Sequence, residues 1–162
     1  MAMIVEQLAG WGRLPLAAAP QASPTTMTEL TKAWAAPGSR VSRGLGRAYG
    51  DAALPDEGGF VVSALGLARM ISFDDASGLL VAESGVSLAE IIETFLPRGW
   101  FLPVVPGTKF VTLGGAVAAD IHDRHVRNIE HTRRLSHLVV FFDLRAIVDW
   151  HFPAAKIHHF GT

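Results

Sequence analysis

Two glycine-centred stretches hold the residues whose types and spacing could do chemistry. The first is Arg43-Gly44-Leu45-Gly46-Arg47-Ala48-Tyr49-Gly50-Asp51. Glycine has no Cβ and tolerates positive φ, so Gly44, Gly46 and Gly50 allow successive main-chain N–H groups to converge into a nest for an anion. Arg43 and Arg47 flank that loop and would add positive potential. The spacing alone fits a tight surface turn without a ligand equally well. It is not a triphosphate-binding loop, because no Gly-Lys-Ser/Thr follows the glycines. Nor is it a Gly-x-Gly-x-x-Gly turn: Ala48 and Tyr49 follow Arg47 where that pattern needs its last glycine.

The second stretch is PGTKFVTLGGAVAADIH at 106–122. Gly107-Thr108 and Gly114-Gly115 bracket an apolar run, and Thr108 and Thr112 add hydroxyl groups. GGAVAAD has small side chains and reads as a short helix whose start packs closely against something. Unpaired N–H groups at that helix start would lie near a ligand. Two such stretches could grip one diphosphate from opposite sides.

The remaining elements must position these two loops. Residues 1–24 read as an irregular lead-in punctuated by Pro15, Pro20 and Pro24. A helix over 27–36 follows, capped by Thr25 or Thr26 with Glu29 in its first turn. Pro37-Gly38 stops it, and 40–43 is a short strand candidate leading into the first loop. Phe60-Val61-Val62 fits a buried strand. Residues 69–74 and 79–84 read as a hairpin around the turn formers at 74–78. Ser87 and Glu90 form a capping-box pattern for a helix over 88–96, ended by Pro97 and Gly99. Residues 100–106 carry two prolines and cannot form a regular central strand. Beyond 122, strand-like runs occur at 138–142 and 146–150.

Composition narrows the field. The chain has 162 residues, enough for one domain with a core. Apolar residues make up 49% and charged ones 18%, which excludes disorder over the whole length. A net charge of -1 provides no field to recruit nucleic acid. With no cysteine, disulfides and thiolate chemistry are excluded. The histidines fall between His122 and His159, at spacings that do not match zinc-ligand pairs, so no metal is expected. Glu6, Gly10, Gly12, Arg13 and Pro15 break up the amino-terminal apolar stretch, which does not read as a signal peptide. No run approaches the length of a spanning helix. Cytoplasm is the expected location, with peripheral membrane contact left open.

AGWGRLP at 9–15, RGLGRAYGD at 43–51, AESGVSLAEII at 82–92 and PVVPGTKFVTLGGAVAADIH at 103–122 occur in an order and spacing with a known counterpart. They resemble the N-terminal FAD-binding domain of the vanillyl-alcohol-oxidase/PCMH-type flavoproteins, most of all the decaprenylphosphoryl-β-D-ribose oxidase group. The resemblance covers about 1–122. It implies an α+β, PCMH-type FAD-binding domain, incomplete here, with small sheets flanked by helices and FAD extended between them. It places Arg43, Gly44, Leu45, Gly46, Arg47, Ala48, Tyr49 and Gly50 around the pyrophosphate. Gly107, Thr108, Gly114, Gly115 and Ala118 would line the opposite wall. Thr112 and Leu113 would lie beside the cofactor, and Ile121 and His122 near the flavin or ribityl chain. Many relatives attach FAD through a histidine in the first loop. None lies in 43–51, so the expected cofactor is non-covalent FAD.

The implied reaction is removal of hydride from a CH–OH carbon. In full-length relatives the substrate is a lipid-linked ribose oxidised at C2′, and a separate epimerase or reductase is an implied partner. After Ile121-His122 the sequence departs from the pattern. A polar cofactor-contacting loop is missing, and the match fades beyond Glu130. The expected organisation is a partial FAD-binding domain over 1–130 and a divergent segment over 131–162. The chain reads as truncated, so turnover by it alone is expected to be weak or absent. The alternatives are a non-catalytic fragment, or a small structural or interaction protein in which the glycines only make turns.

Overall fold

A computed structural model of the chain describes residues 3–121, 136–137 and 139–142. The architecture is α+β, with small sheets and short helices. The first sheet has four strands: β1 (Ile4–Leu8), β2 (Ala17–Ala22), β3 (Arg40–Arg43) and β4 (Phe60–Ser63), in the order β1-β2-β4-β3. β1 and β2 are antiparallel, from Ile4 opposite Gln21 to Leu8 opposite Ala17. β4 runs parallel to both of its neighbours.

The lead-in expected to be irregular is therefore a β-hairpin. Alanine and proline are poor strand formers, so local propensity argues against β2. Pairing overrides it. β2 meets β4 only at Gln21 and Ala22, so Pro20 lies where the β4-facing edge carries no ladder.

β4 is buried at every position, as a strand covered on both faces must be. On one face, Phe60 and Val62 pack with Ala22 and with Ala33, Leu30 and Trp34 of helix α1 (Met27–Trp34). On the other, Val61 packs with Leu8, Ala19, Val41 and Leu54. Thr26 caps α1 by accepting from the Glu29 N–H at 3.2 Å.

The second half of the core forms around the hairpin of β5 (Met70–Asp74) and β6 (Leu79–Ala82), with β9 (Val139–Phe142) parallel to β6. Helix α2 (Leu88–Phe95) packs on it, and Leu80, Ala82, Val86, Leu88, Ile91, Phe95, Leu102 and Leu113 form one buried cluster. Phe73 meets Phe95 at 4.5 Å and the edge of Trp100 at 5.4 Å between ring centroids. The Ser87–Glu90 capping box is present in both directions. A 3₁₀ turn, Leu96–Arg98, follows α2, and Gly99 at φ 83° ends it. The apolar stretch after Gly99 yields only a two-residue strand, β7 (Trp100–Phe101), parallel to β8 (Ser136–His137). The GGAVA part of GGAVAAD does form a helix, α3 (Leu113–Ala118), capped by Thr112, with Ala119 and Asp120 beyond its end. The candidate strand at 146–150 lies outside the described residues. Among the described residues, no helix is long and apolar enough to cross a membrane.

Candidate functional site

The two glycine stretches touch. Gly44 comes so near Thr112 that a Cβ there would overlap the threonine Oγ1 and lie 3.1 Å from its Cγ2. The Arg47 Nε–H donates to the Phe110 carbonyl at 3.1 Å, tying the middle of the first loop to the second. A third segment joins them, the β1–β2 connection at 9–16. Its Trp11 N–H donates to the Ala48 carbonyl at 2.8 Å. Gly10 packs against the carbonyls of Ala48 and Gly50, and the Trp11 ring lies 5.1 Å from the Arg47 guanidinium.

The first loop has the polarity expected of an anion cradle. Among the described residues, no main-chain N–H of 44–50 has an acceptor. Gly46 at φ 67° and Gly50 at φ 59° hold left-handed conformations that turn the chain back on itself. Gly46 is buried, Gly44, Leu45 and Ala48 are half-buried, and Arg47, Tyr49 and Gly50 are exposed. Short main-chain donors suit a diphosphate, and at Gly44, Gly46 and Gly50 no side chain stands over them.

Arg43 departs from expectation. Its Nη1 donates to the Ala53 carbonyl at 3.1 Å and its Nη2 to the Ala9 carbonyl at 2.6 Å. Burial pushes its pKa below the ordinary arginine value, with the Glu6 charge opposing that shift. Arg43 thus pins the lead-in and the loop exit together, and its guanidinium is turned inward to carbonyls.

The second stretch needs a larger correction. The N–H groups at the start of α3 are not free for a ligand. Leu113 donates to the Val86 carbonyl at 2.8 Å, Gly114 to the Ser84 carbonyl at 2.9 Å, and Gly115 to Thr112 Oγ1 at 3.1 Å. The acceptors belong to the β6–α2 link and to the cap itself. That docking also explains Gly114, whose Cβ would sit 3.1 Å from the Ser84 Cβ. Thr112 and Leu113 are only 1% and 3% exposed, and Leu113 belongs to the hydrophobic core. Gly107 is exposed, Thr108 is half-buried and accepts from the Phe110 N–H at 3.2 Å, and Gly115 and Ala118 are exposed on α3. Ile121 is half-buried, with its N–H donated to the Ala116 carbonyl at 3.1 Å. His122 lies outside the described residues.

The strap formed by Gly10 and Trp11 is the part of the site that residue types did not reveal. The signal available was a second Gly-x-Gly, at Gly10 and Gly12, beside an aromatic residue in an otherwise apolar segment.

Comparison with known proteins adds relatives and a family. The chain is 37% identical over 140 residues to the decaprenylphosphoryl-beta-D-ribose oxidase of Mycolicibacterium smegmatis, an alignment covering 77% of this chain and 30% of that protein. It is 31% identical over 116 residues to an uncharacterized FAD-linked oxidoreductase of Mycobacterium tuberculosis, covering 71% of this chain and 25% of that one. The chain therefore spans less than a third of the length of these relatives. Among solved structures, cholesterol oxidase of Brevibacterium sterolicum superposes with a TM-score of 0.63 at 17% identity, over 75% of this chain and 24% of that one. That likeness establishes the fold. A family model described as an FAD binding domain matches residues 20–139, so the chain belongs to the FAD-binding domain family, whose cofactor is FAD.

Proposed function

We propose that this chain is the FAD-holding portion of a flavin-dependent oxidoreductase acting on a CH–OH group, with a lipid-linked ribose, oxidised at C2′, as the substrate of the whole protein. The observation that carries the cofactor part is the set of N–H groups at 44–50 without an acceptor among the described residues, in a loop clamped against Phe110 and Thr112. Gly44, Leu45, Gly46, Arg47, Ala48, Tyr49 and Gly50 surround the pyrophosphate and supply main-chain donors. Arg43 holds the loop from behind. Gly107, Thr108, Gly115 and Ala118 offer a wall of small groups, while Thr112, Leu113 and Gly114 support it from beneath. The family resemblance assigns Ile121 and His122 to the flavin side of the cofactor. No histidine occurs in 43–51, so the cofactor is held without a covalent link. Bound flavin supplies a hydride acceptor for a carbinol carbon, and the protein supplies its placement. The substrate reading is supported by the likeness to the ribose oxidase. Oxidation at C2′ leaves a ketone, which suits a separate reductase as partner.

The test is titration of the purified chain with FAD, following flavin fluorescence and melting temperature together. Binding to the folded state alone stabilises it by about 2.7 kcal/mol at a free ligand concentration one hundred times Kd. Saturable fluorescence change with a rising melting temperature is expected. A flat titration with an unmoved melting temperature overturns the proposal.

A further inference from the structure

A loop with no internal hydrogen bonds from its own N–H groups has little stiffness of its own. The amides of 44–50 donate to nothing among the described residues, so whatever shapes the loop must act on it from outside. Three such contacts are present. Arg43, just before the loop, grips the Ala9 carbonyl of the β1–β2 connection and the Ala53 carbonyl just beyond the loop. The Trp11 N–H holds the Ala48 carbonyl at 2.8 Å. Arg47, at the loop's centre, spans the remaining gap: its Nε–H reaches the Phe110 carbonyl at 3.1 Å, and its guanidinium lies 5.1 Å from the Trp11 ring centroid.

The Arg47 side chain thus joins segments at 9–13, 43–51 and 107–112 that are remote in sequence. Its most directional donor is committed to a carbonyl, and its flat face is committed to an aromatic ring.

We propose that Trp11 and Arg47 are positioning residues that form a clasp over the 44–50 loop, keeping its N–H groups convergent before the dinucleotide arrives and slowing its departure. The cation is there to shape the loop, not to ligate phosphate. This inference rests on the flavin reading for the identity of the ligand. Its physical basis is preorganisation: a loop already held in its bound shape loses less freedom on binding, and the gain appears chiefly in the dissociation rate.

The two roles open to Arg47 separate under mutation. A phosphate ligand depends on charge, so Arg47→Lys would preserve much of the affinity, Trp11→Leu would be nearly silent, and Arg47→Met would flatten the salt dependence of FAD binding. A clasp depends on the planar Nε–H and on the aromatic face, so Arg47→Lys would fail and Trp11→Leu would matter.

The experiment measures FAD affinity and dissociation rate by flavin fluorescence on the purified full chain, at two salt concentrations. The variants are Arg47→Met, Arg47→Lys, Trp11→Leu, Trp11→Phe and the Trp11→Leu/Arg47→Met pair. Arg47→Met and Trp11→Leu are each expected to speed dissociation about tenfold. The pair is expected to be little worse than either alone, and Trp11→Phe to restore most of the wild-type rate. The salt dependence should stay as in the wild type, and the melting temperature of the FAD-free chain should hardly move. If the wild-type chain takes up no FAD, both the flavin reading and the clasp are overturned. If it binds FAD but Trp11→Leu is silent, Arg47→Lys is tolerated, or the two substitutions multiply independently, only the clasp is overturned.

Discussion

Substituting Gly44 by alanine tests the meeting of the two glycine stretches directly. Gly44 does not have a left-handed φ, so alanine brings no backbone strain, and the effect isolates the contact. The new Cβ would be driven into Thr112 Oγ1, with Thr112 Cγ2 at 3.1 Å and Cβ at 3.3 Å. Thr112 is 1% exposed and cannot swing into solvent, and its Oγ1 holds the α3 cap. Overpacking of this kind costs about 1–3 kcal/mol. Displacing the cap adds about 1 kcal/mol. Alanine recovers about 0.4–1 kcal/mol by restricting the unfolded chain. The net expectation for Gly44→Ala is a loss of about 1–3.5 kcal/mol. Thr112→Ala alone should cost about 1 kcal/mol, the value of the cap. In the double variant the alanine methyl occupies space that Oγ1 and Cγ2 vacated. The total should then remain near the Thr112→Ala cost, well short of the sum. Urea unfolding of the four proteins measures this coupling. A double variant equal to the sum of the singles within about 0.5 kcal/mol, or a silent Gly44→Ala, would refute the contact and the facing geometry with it.

Further expectations follow from the same geometry. Ser87→Ala removes the Oγ that accepts from the Glu90 N–H at 3.2 Å while keeping the return bond from the residue-87 N–H to the Glu90 carboxylate, and should destabilise the chain by about 1 kcal/mol in urea unfolding, more than removing an exposed serine elsewhere. Gly46→Ala should weaken FAD retention more than Gly50→Ala in fluorescence titration. Both place a Cβ at positive φ, but at Gly46 it would also meet the Arg43 guanidinium, while at Gly50 it meets open space. The Arg69 guanidinium hydrogen-bonds Glu83 and holds its carboxyl below the ordinary value. The unfolded chain therefore binds that proton more tightly. The stabilisation is complete above the unfolded value, near pH 4, and is lost as pH falls through the lower folded value. Glu83→Gln should remove this part of the acid slope in thermal unfolding while leaving the neutral-to-alkaline region without a new slope.

Local chemistry made much of the frame readable. Thr26, Ser87 and Glu90 announce helix starts through side-chain oxygens that serve bare N–H groups, and those caps form as their spacing requires. The 74–78 turn, the all-apolar Phe60-Val61-Val62 run and the small-residue helix at Gly114 are equally local signals. β2 escaped because its alanines and proline carry no strand signal of their own and its parallel partner β4 lies far along the chain, and β1, whose Ile4 and Val5 do favour a strand, escaped with the partner it pairs with. Glycine spacing pointed to two stretches that the fold brings into contact, while the flavin reading came from the family resemblance. That spacing could not tell that the α3 amides would be consumed by the Ser84 and Val86 carbonyls, because nothing in GGAVAA names its acceptors. It also could not tell that Arg43 would turn inward while Arg47 reached across, since a long cation beside a glycine reads the same either way.

The first sheet has unequal seams. β3 follows β4 through four paired residues, whereas β2 is stitched to β4 at Gln21 and Ala22 alone. The amino-terminal ribbon can therefore peel away at lower free energy than the cluster around Ile91 can open. Since Trp11 rides on that ribbon, the 44–50 loop can be unfastened from one edge by uncovering Leu8, Ala19 and Ala22 while the cluster around Ile91 stays closed. Exchange of a dinucleotide held there then need not involve global unfolding.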